Sequence, residues 1–225
     1  MQLSEVDQVM CTGVGSSYLK DDIYGIPTRK VDEFMAVGLG GRFLSGLDDT
    51  IVVSMGTGTS LTSVKGDRIH YVGGSGVGGG TISGLCGKLI GVTACESIAK
   101  LALRGSYNNV DLTVGDISRD KVANMSDKTT AANFGKVSDD ASDADFAMGV
   151  INLVFQTVGI LAKMAAQAQG TKQIVLTGSL TRMEAAKQVI DALEALYGVS
   201  YIIPEHSEYS TAIGAALYGK EEKEI

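Results

Sequence analysis

Ile51-Val52-Val53-Ser54-Met55-Gly56-Thr57-Gly58-Thr59-Ser60 opens the stretch that decides the fold, and Val72-Gly73-Gly74-Ser75-Gly76-Val77-Gly78-Gly79-Gly80-Thr81-Ile82-Ser83-Gly84-Leu85 closes it. Between them, Leu61 to Tyr71 carries a turn at Gly66-Asp67. An apolar, β-branched run that stops at Gly and Thr predicts a strand ending in a loop, and the turn predicts a hairpin. The second glycine run then opens an apolar helix expected from Gly80 to Ile90. The stretch therefore reads as one hairpin carrying two backbone-rich loops.

Such loops can aim many N–H groups at one point, because Gly accepts positive φ and has no Cβ to obstruct a ligand. A phosphate chain suits that point, and the N-terminus of the following helix favours an anion there. Chain reversal alone would not need six glycines in the eight residues from Gly73 to Gly80. Neither loop has the Gly-Lys-Ser/Thr ending of a Walker A sequence. A Gly-x-Gly-x-x-Gly spacing within Val72 to Gly80 follows a hairpin instead of opening a strand–helix–strand unit, so it is no dinucleotide fingerprint.

The chain has 225 residues and a net charge of −7, enough for one large domain or two compact halves. That charge argues against nucleic acid and anionic membrane as partners, since their phosphates would be repelled. Cys11, Cys86 and Cys95 have no zinc or redox spacing, which suits structural thiols in a reducing cytoplasm. No metal-ligand set is read. The most apolar segment, near Met148 to Ala168, is interrupted by Asn152, Gln156 and Lys163, so no membrane span and a soluble protein are expected. The charged end from Lys220 to Ile225 reads as disordered.

Before the hairpin, Val6 to Cys11 predicts a short strand ending in the small-residue loop Thr12 to Ser17. From about Asp32, the residues Phe34, Val37, Leu39, Phe43 and Leu44 fit a helix, although Gly38, Gly40 and Gly41 weaken it unless they serve close packing. Glu33 then stands at a helix start, where a carboxylate is ordinarily a solvated residue favoured by the dipole. After the hairpin a helix is expected within Thr93 to Arg104, and a long one from about Ala144 to Gln169, stopped by Gly170. A second strand–small loop–helix unit follows: Gln173 to Leu176, Thr177-Gly178-Ser179, and a helix from about Arg182 to Leu196. A strand at Ser200 to Ile203 and a helix at Ser210 to Tyr218 complete an α/β alternation with parallel pairing.

Together, Thr12-Gly13-Val14-Gly15, Asp32-Glu33-Phe34, the two glycine runs, Asp111-Leu112, Thr130-Ala131-Ala132-Asn133-Phe134-Gly135 and Ala212-Ile213-Gly214-Ala215 resemble the type II pantothenate kinases. Order and spacing agree through nearly the whole chain. The family lies in the acetate kinase/sugar kinase/Hsp70/actin superfamily. The resemblance implies an α/β actin-like ATPase fold of two RNase H-like halves with nucleotide between them. An N-terminal half at 1–143, with the glycine loops, would be followed by a C-terminal half at 144–225, with the long helix. Family members begin with a strand and an Asp-x-Gly-Gly-Thr loop ahead of the region matching Val6 to Gly13. This chain has no such segment, so its first half is expected to be incomplete.

The implied activity is ATP-dependent phosphorylation of pantothenate to 4′-phosphopantothenate, the first committed step of coenzyme A biosynthesis, with Mg²⁺ bridging the phosphates. Glu33 matches the catalytic carboxylate. Gly56, Thr57, Gly58 and Thr59 would hold the β- and γ-phosphates. Gly78, Gly79, Gly80, Thr81, Ile82 and Ser83 would bind at the helix start, and Gly178 and Ser179 would lie near adenine or ribose. Tyr71, Gly73 and Gly74 would line the acceptor. The family often places Arg before Val-Gly-Gly to hold the pantothenate carboxylate, but this chain has His70 and Tyr71 there. Arg68, the nearest guanidinium, is expected to hold that carboxylate, although strand alternation puts it on the face of His70 and not of Tyr71. A cytoplasmic homodimer paired through the long helix is implied as well. Two other readings remain open: a kinase of this fold for another small alcohol such as an amino sugar, and a nucleotide-binding protein without catalysis.

Overall fold

The computed structural model describes residues 2–120 and 125–221. Of the charged end, residues 222–225 lie outside them. The hairpin appears as read: β3 (Asp49–Met55), β4 (Thr59–Lys65) and β5 (Arg68–Ser75) pair antiparallel. Ahead of it, β1 (Val9–Cys11) and β2 (Thr28–Lys30) form a small parallel sheet, followed by α1 (Glu33–Ser45). Behind it come α2 (Gly79–Ile90) and α3 (Cys95–Ala102), then β6 (Leu112–Thr113), α4 (Val114–Ile117) and β7 (Thr130–Ala132). The chain closes with α5 (Asp143–Gln169), β8 (Gln173–Thr177), α6 (Lys187–Tyr197), β9 (Ser200–Ile202) and α7 (Ser210–Glu221).

The main sheet has the order β5-β4-β3-β8-β9, with β8 and β9 parallel to β3. Its residues alternate between two covered faces, as a sheet buried on both sides requires. Ile51, Val53, Met55, Ile174 and Leu176 join the large core under α2, α3, α5 and α6, whereas Val52, Val64 and Val175 meet Val37 of α1 on the other side. The expected division between 143 and 144 is therefore corrected. β3 on one side of it pairs directly with β8 on the other, and Thr50 and Thr177 reinforce the seam by donating to Gln173 O and Val53 O. Residues 49–75 and 173–202 build one sheet, with a core cluster on each of its faces.

Three glycines do not break α1, because packing outweighs propensity here. Asp32 caps its start by accepting from Met35 N, at 2.9 Å. A Cβ at Gly38 would strike Ile69, and one at Gly41 would strike Val52, so the helix lies directly on the sheet. A Cβ at Gly40 would stand 1.9 Å from Ser210 O, and one at Gly214 1.8 Å from Ala36 O. The bare backbones of α1 and α7 thus touch.

α5 is the helix expected from the apolar spacing, and it is long and apolar enough by composition to cross a membrane, contrary to the sequence reading. In the fold its residues Ala147, Met148, Ile151, Val154, Phe155 and Val158 are buried in the large core. Its start is fixed by a reciprocal cap in which Ser142 Oγ donates to Asp145 while Asp145 N donates back. Burial works against the Asp145 carboxylate, but bonds donated by Ser142, Ser106 and Asn109 outweigh it and hold the group down to about 2. A depressed carboxylate adds stability that is complete above its unfolded value of about 3.9 and lost as pH falls through its folded value. Asp145→Asn is expected to destabilise the protein at pH 7, with the gap to the parent closing between pH 4 and pH 2. Urea melts at several pH values check this, and a gap independent of pH contradicts it.

The segment between α3 and α5 is organised by Asp111, which is fully buried. It accepts from Phe134 N at 2.8 Å, Asn133 Nδ2 at 3.2 Å and Asn152 Nδ2 at 2.6 Å. These bonds tie the β6–β7 pair to α5. Asp111 and the Asn133-Phe134 motif are in this way a folding device, which explains two of the motifs without chemistry.

Candidate active site

The two glycine loops meet. Gly79 N and Gly80 N donate to Gly56 O and Thr57 O at 2.8 and 2.9 Å, and Thr59 Oγ1 donates to Val77 O at 2.8 Å. A Cβ at Gly78 would fall 2.7 Å from Thr57 O and 2.8 Å from Gly58 Cα. The reason for so many glycines is therefore partly mutual packing of two backbones. This amends the expected roles. The N–H groups of Gly79 and Gly80 and the hydroxyl of Thr59 lock one loop to the other, so they are not open anion donors. Thr81 Oγ1 is likewise engaged, donating to Gly76 O and accepting from Gly78 N. Ile82 is fully buried in the core and faces no ligand.

What the locked loops present is the tip Thr57-Gly58, with Thr57 exposed. Thr57 stands in one wall of a cleft of about 650 Å³, which Gly56, Gly79, Gly80, Ser83 and Ser179 also line. Six of the twelve nucleotide residues expected from sequence thus line the cleft, whereas Gly58, Thr59, Gly78, Thr81, Ile82 and Gly178 do not. Gly178 adopts φ 91° with its Cα against Met55, where a Cβ would meet Met55 O at 2.5 Å, and it delivers the exposed Ser179 to the cleft. Splitting the loops should remove the pocket: Gly78→Val is expected to weaken ATP binding by at least about tenfold, equal to about 1.4 kcal/mol. Isothermal titration reads this directly, and an unchanged affinity would refute the assignment.

Sequence reading missed the opposite wall. Cys95, Glu96, Ala99, Lys100 and Arg182 complete the cleft, because α3 turns its first face toward the loops and the turn after β8 carries Arg182 back. The only signal was the position of Arg182, three residues beyond Ser179. Lys100 pairs with Glu96 at 2.8 Å, and the hydrogen bond from Lys100, with the charge of Arg182 in a lesser part, lowers the Glu96 carboxylate. Cys95 Sγ lies 3.2 Å from Ser83 Oγ, while burial pushes the Cys86 thiol up to about 11, leaving it inert.

Glu33 is the first residue of α1, half-buried, and outside the cleft lining. Its neighbour Phe34 stacks on Tyr71, with ring centroids 4.0 Å apart. The Tyr71 hydroxyl in turn stands 2.8 Å from where a Gly74 Cβ would be, and Thr59 O is 2.7 Å from the same point. A continuous set of contacts so connects the start of α1 to the glycine loops, and Tyr71 and Gly74 are its middle. Space beside Gly73 is open. Arg68 is not part of this group. It lines a second cavity on the α5 side of the sheet with His70, while Tyr71 faces α1, so its expected role on the acceptor carboxylate is corrected.

The Fumble family model matches residues 1–218. A type II pantothenate kinase of Staphylococcus aureus (strain MRSA252) is 33% identical over 227 residues, covering 96% of this chain and 84% of the relative. One from Bacillus cereus (strain AH820) is 29% identical, covering 98% and 83%. Among solved structures, the activator of 2-hydroxyisocaproyl-CoA dehydratase from Clostridium difficile, with bound ADPNP, superposes with a TM-score of 0.63 at 16% identity. That match covers 100% of this chain and 79% of the activator. The Acidaminococcus fermentans (R)-2-hydroxyglutaryl-CoA dehydratase component A gives 0.61 at 20% identity, covering 97% and 77%. These structural likenesses are of fold alone, the actin-like ATPase fold.

Proposed function

Because the chain belongs to the Fumble family, that of the type II pantothenate kinases, we infer that it transfers the γ-phosphoryl group of ATP to the primary hydroxyl of pantothenate. This is the entry step of coenzyme A biosynthesis. The observation that carries the reading is the joined pair of glycine loops walling a nucleotide-sized cleft, linked by Tyr71 and Phe34 to a carboxylate at a helix start.

Phosphoryl transfer asks a protein mainly for positioning and charge neutralisation. The phosphates lie against the Thr57-Gly58 tip, with the nucleoside between α3 and Ser179. On the far side Arg182 offers a guanidinium, while Lys100 is held by Glu96. The acceptor lies over Gly73 and Gly74 beside Tyr71. Its hydroxyl oxygen bonds to the γ-phosphorus as the bond to the ADP oxygen breaks, and the released proton passes to the Glu33 carboxylate. Mg²⁺ belongs to the same reading as a partner of the phosphates. Among the described residues no group of three His, Cys, Asp or Glu is clustered to hold a metal, so the ion would arrive with the nucleotide and keep mostly water and phosphate oxygens.

A cytoplasmic homodimer is part of the proposal. Leu161 and Met164 of α5 are 37% and 58% exposed one turn apart, an apolar strip that a second α5 would cover.

Release of ADP, followed with pantothenate and then N-acetylglucosamine as acceptors, tests the reading. Pantothenate is expected to give the higher kcat/KM. Preference for the amino sugar would transfer the assignment to another kinase of this fold, and ATP binding without turnover would make the chain a nucleotide-binding protein only.

A further inference from the structure

At the opposite end of the hairpin from the glycine loops, a cavity of about 580 Å³ lies between β5, the edge of the main sheet, and the last turns of α5. Lys65 and Thr59 are the two ends of β4, about 20 Å apart at ~3.3 Å per residue, so the cavity is well separated from the nucleotide cleft. Its floor is apolar, formed by Ile51, Val72, Ala165 and Ala168. Its rim is basic: Lys65, Arg68 and His70 are all exposed, and among the described residues none of their side chains has an ion-pair or hydrogen-bond partner.

Asp49, opposite Lys65 in the β3–β4 ladder, is the acid nearest this rim and offsets it only in part. Arg42, on the other side of the sheet, holds Asp48 at 2.6 Å and Asp67 at 3.1 Å, while Asp49 accepts from Gln169 Nε2 at 2.7 Å. Ser63 and Gln169, the polar members of the wall, are already engaged: Ser63 Oγ donates to Gln169 Oε1, and Gln169 Nε2 donates to the Thr50 and Val64 carbonyls. In a chain with a net charge of −7, three unpartnered cationic or protonatable side chains over an apolar floor make a local positive patch that suits a negative ligand. Lys and Arg heads suit a phosphate or carboxylate, with the guanidinium able to engage either bidentately. The floor suits a short apolar tail.

We propose that this cavity is a second ligand site, distinct from the catalytic cleft, for a small amphiphilic anion: a phosphate or carboxylate head on an apolar tail. Strand alternation ties it to the acceptor site, because His70 and Val72 face the cavity while Tyr71 between them faces Phe34. The ladder between β4 and β5 slips one residue at this point, between Leu61 and Thr62. A ligand that presses on Val72 therefore acts on the strand segment that places Tyr71.

Titration calorimetry on the full chain saturated with ATP tests the proposal, using hexyl phosphate and hexanoate, with hexanol and inorganic phosphate as head and tail controls. One of the two amphiphiles is expected to bind, with each control at least about tenfold weaker. Which of the two binds identifies the head group. Arg68→Glu and, separately, the cavity-filling Ala165→Leu should each weaken that binding about tenfold or more, with ATP affinity and melting temperature unchanged. The readout is binding, so it stands or falls independently of whether pantothenate is phosphorylated. Absence of binding, equal binding by the controls, competition by ATP, or unchanged binding in both variants would overturn the site.

Discussion

Replacing Glu33 with glutamine is expected to lower kcat by about 10²–10⁴-fold, the usual worth of a positioned acid–base group. The amide is nearly isosteric with the carboxylate and keeps the start of α1 intact, since the cap there is Asp32. Glu33 also lies outside the cleft that takes the nucleotide, so ATP affinity should remain within a few-fold. A loss confined to kcat marks the chemical step, whereas a loss in KM alone would mark binding. If the variant turns over at the parent rate, the carboxylate is only a helix-start residue and the proton must leave by another route.

Gly214→Val is expected to have the largest effect on stability. The added Cβ would stand 1.8 Å from Ala36 O and 2.6 Å from Gly40 N, backbone atoms that no rotamer change can move. α7 would have to separate from α1 along their shared face, and overpacking of this kind costs about 3 kcal/mol or more. For a chain of this size, that corresponds to a fall in Tm of roughly 6–12 °C. Gly84→Ala provides the contrast, because no heavy atom lies within 4 Å of a Cβ there and the position is in α2. It should leave Tm unchanged or raise it slightly, through the lower chain entropy of Ala. Equal melting of the Gly214 variant and the parent would mean that the α1–α7 contact is looser than described.

Local chemistry was legible where one segment decided its own structure. The β-branched run into Gly56, the turn at Gly66-Asp67 and the stop of α5 at Gly170 all stand as read from the letters. The sheet order was not legible, because β3 pairs with β8 across more than a hundred residues of intervening chain, and no local signal encodes that partner. The division placed at 143 failed for this reason. α1 shows the reverse failure: its glycines argue against a helix by propensity, yet Ile69, Val52 and Ser210 leave room for nothing larger.

The site was half legible. Glycine density pointed correctly to the two loops, but density cannot say whether an N–H faces a ligand or a neighbouring carbonyl, and for Gly79 and Gly80 it is the carbonyl. Cys95, Lys100 and Arg182 were invisible as cleft residues, because α3 by itself reads only as an amphipathic helix. Tyr71 and Arg68 differ by three positions on one strand and so take opposite faces, which sequence alternation did anticipate.

The most direct test of the account is the identity of the product. The chain is incubated with ATP, Mg²⁺ and pantothenate, and the mixture is examined by phosphorus–proton correlation spectroscopy and mass spectrometry. One new phosphate monoester is expected, coupled to the methylene protons of the primary alcohol of pantothenate and formed mole for mole with ADP. ATP bound by the protein but recovered intact, or a phosphate carried by any other acceptor in place of pantothenate, would contradict it.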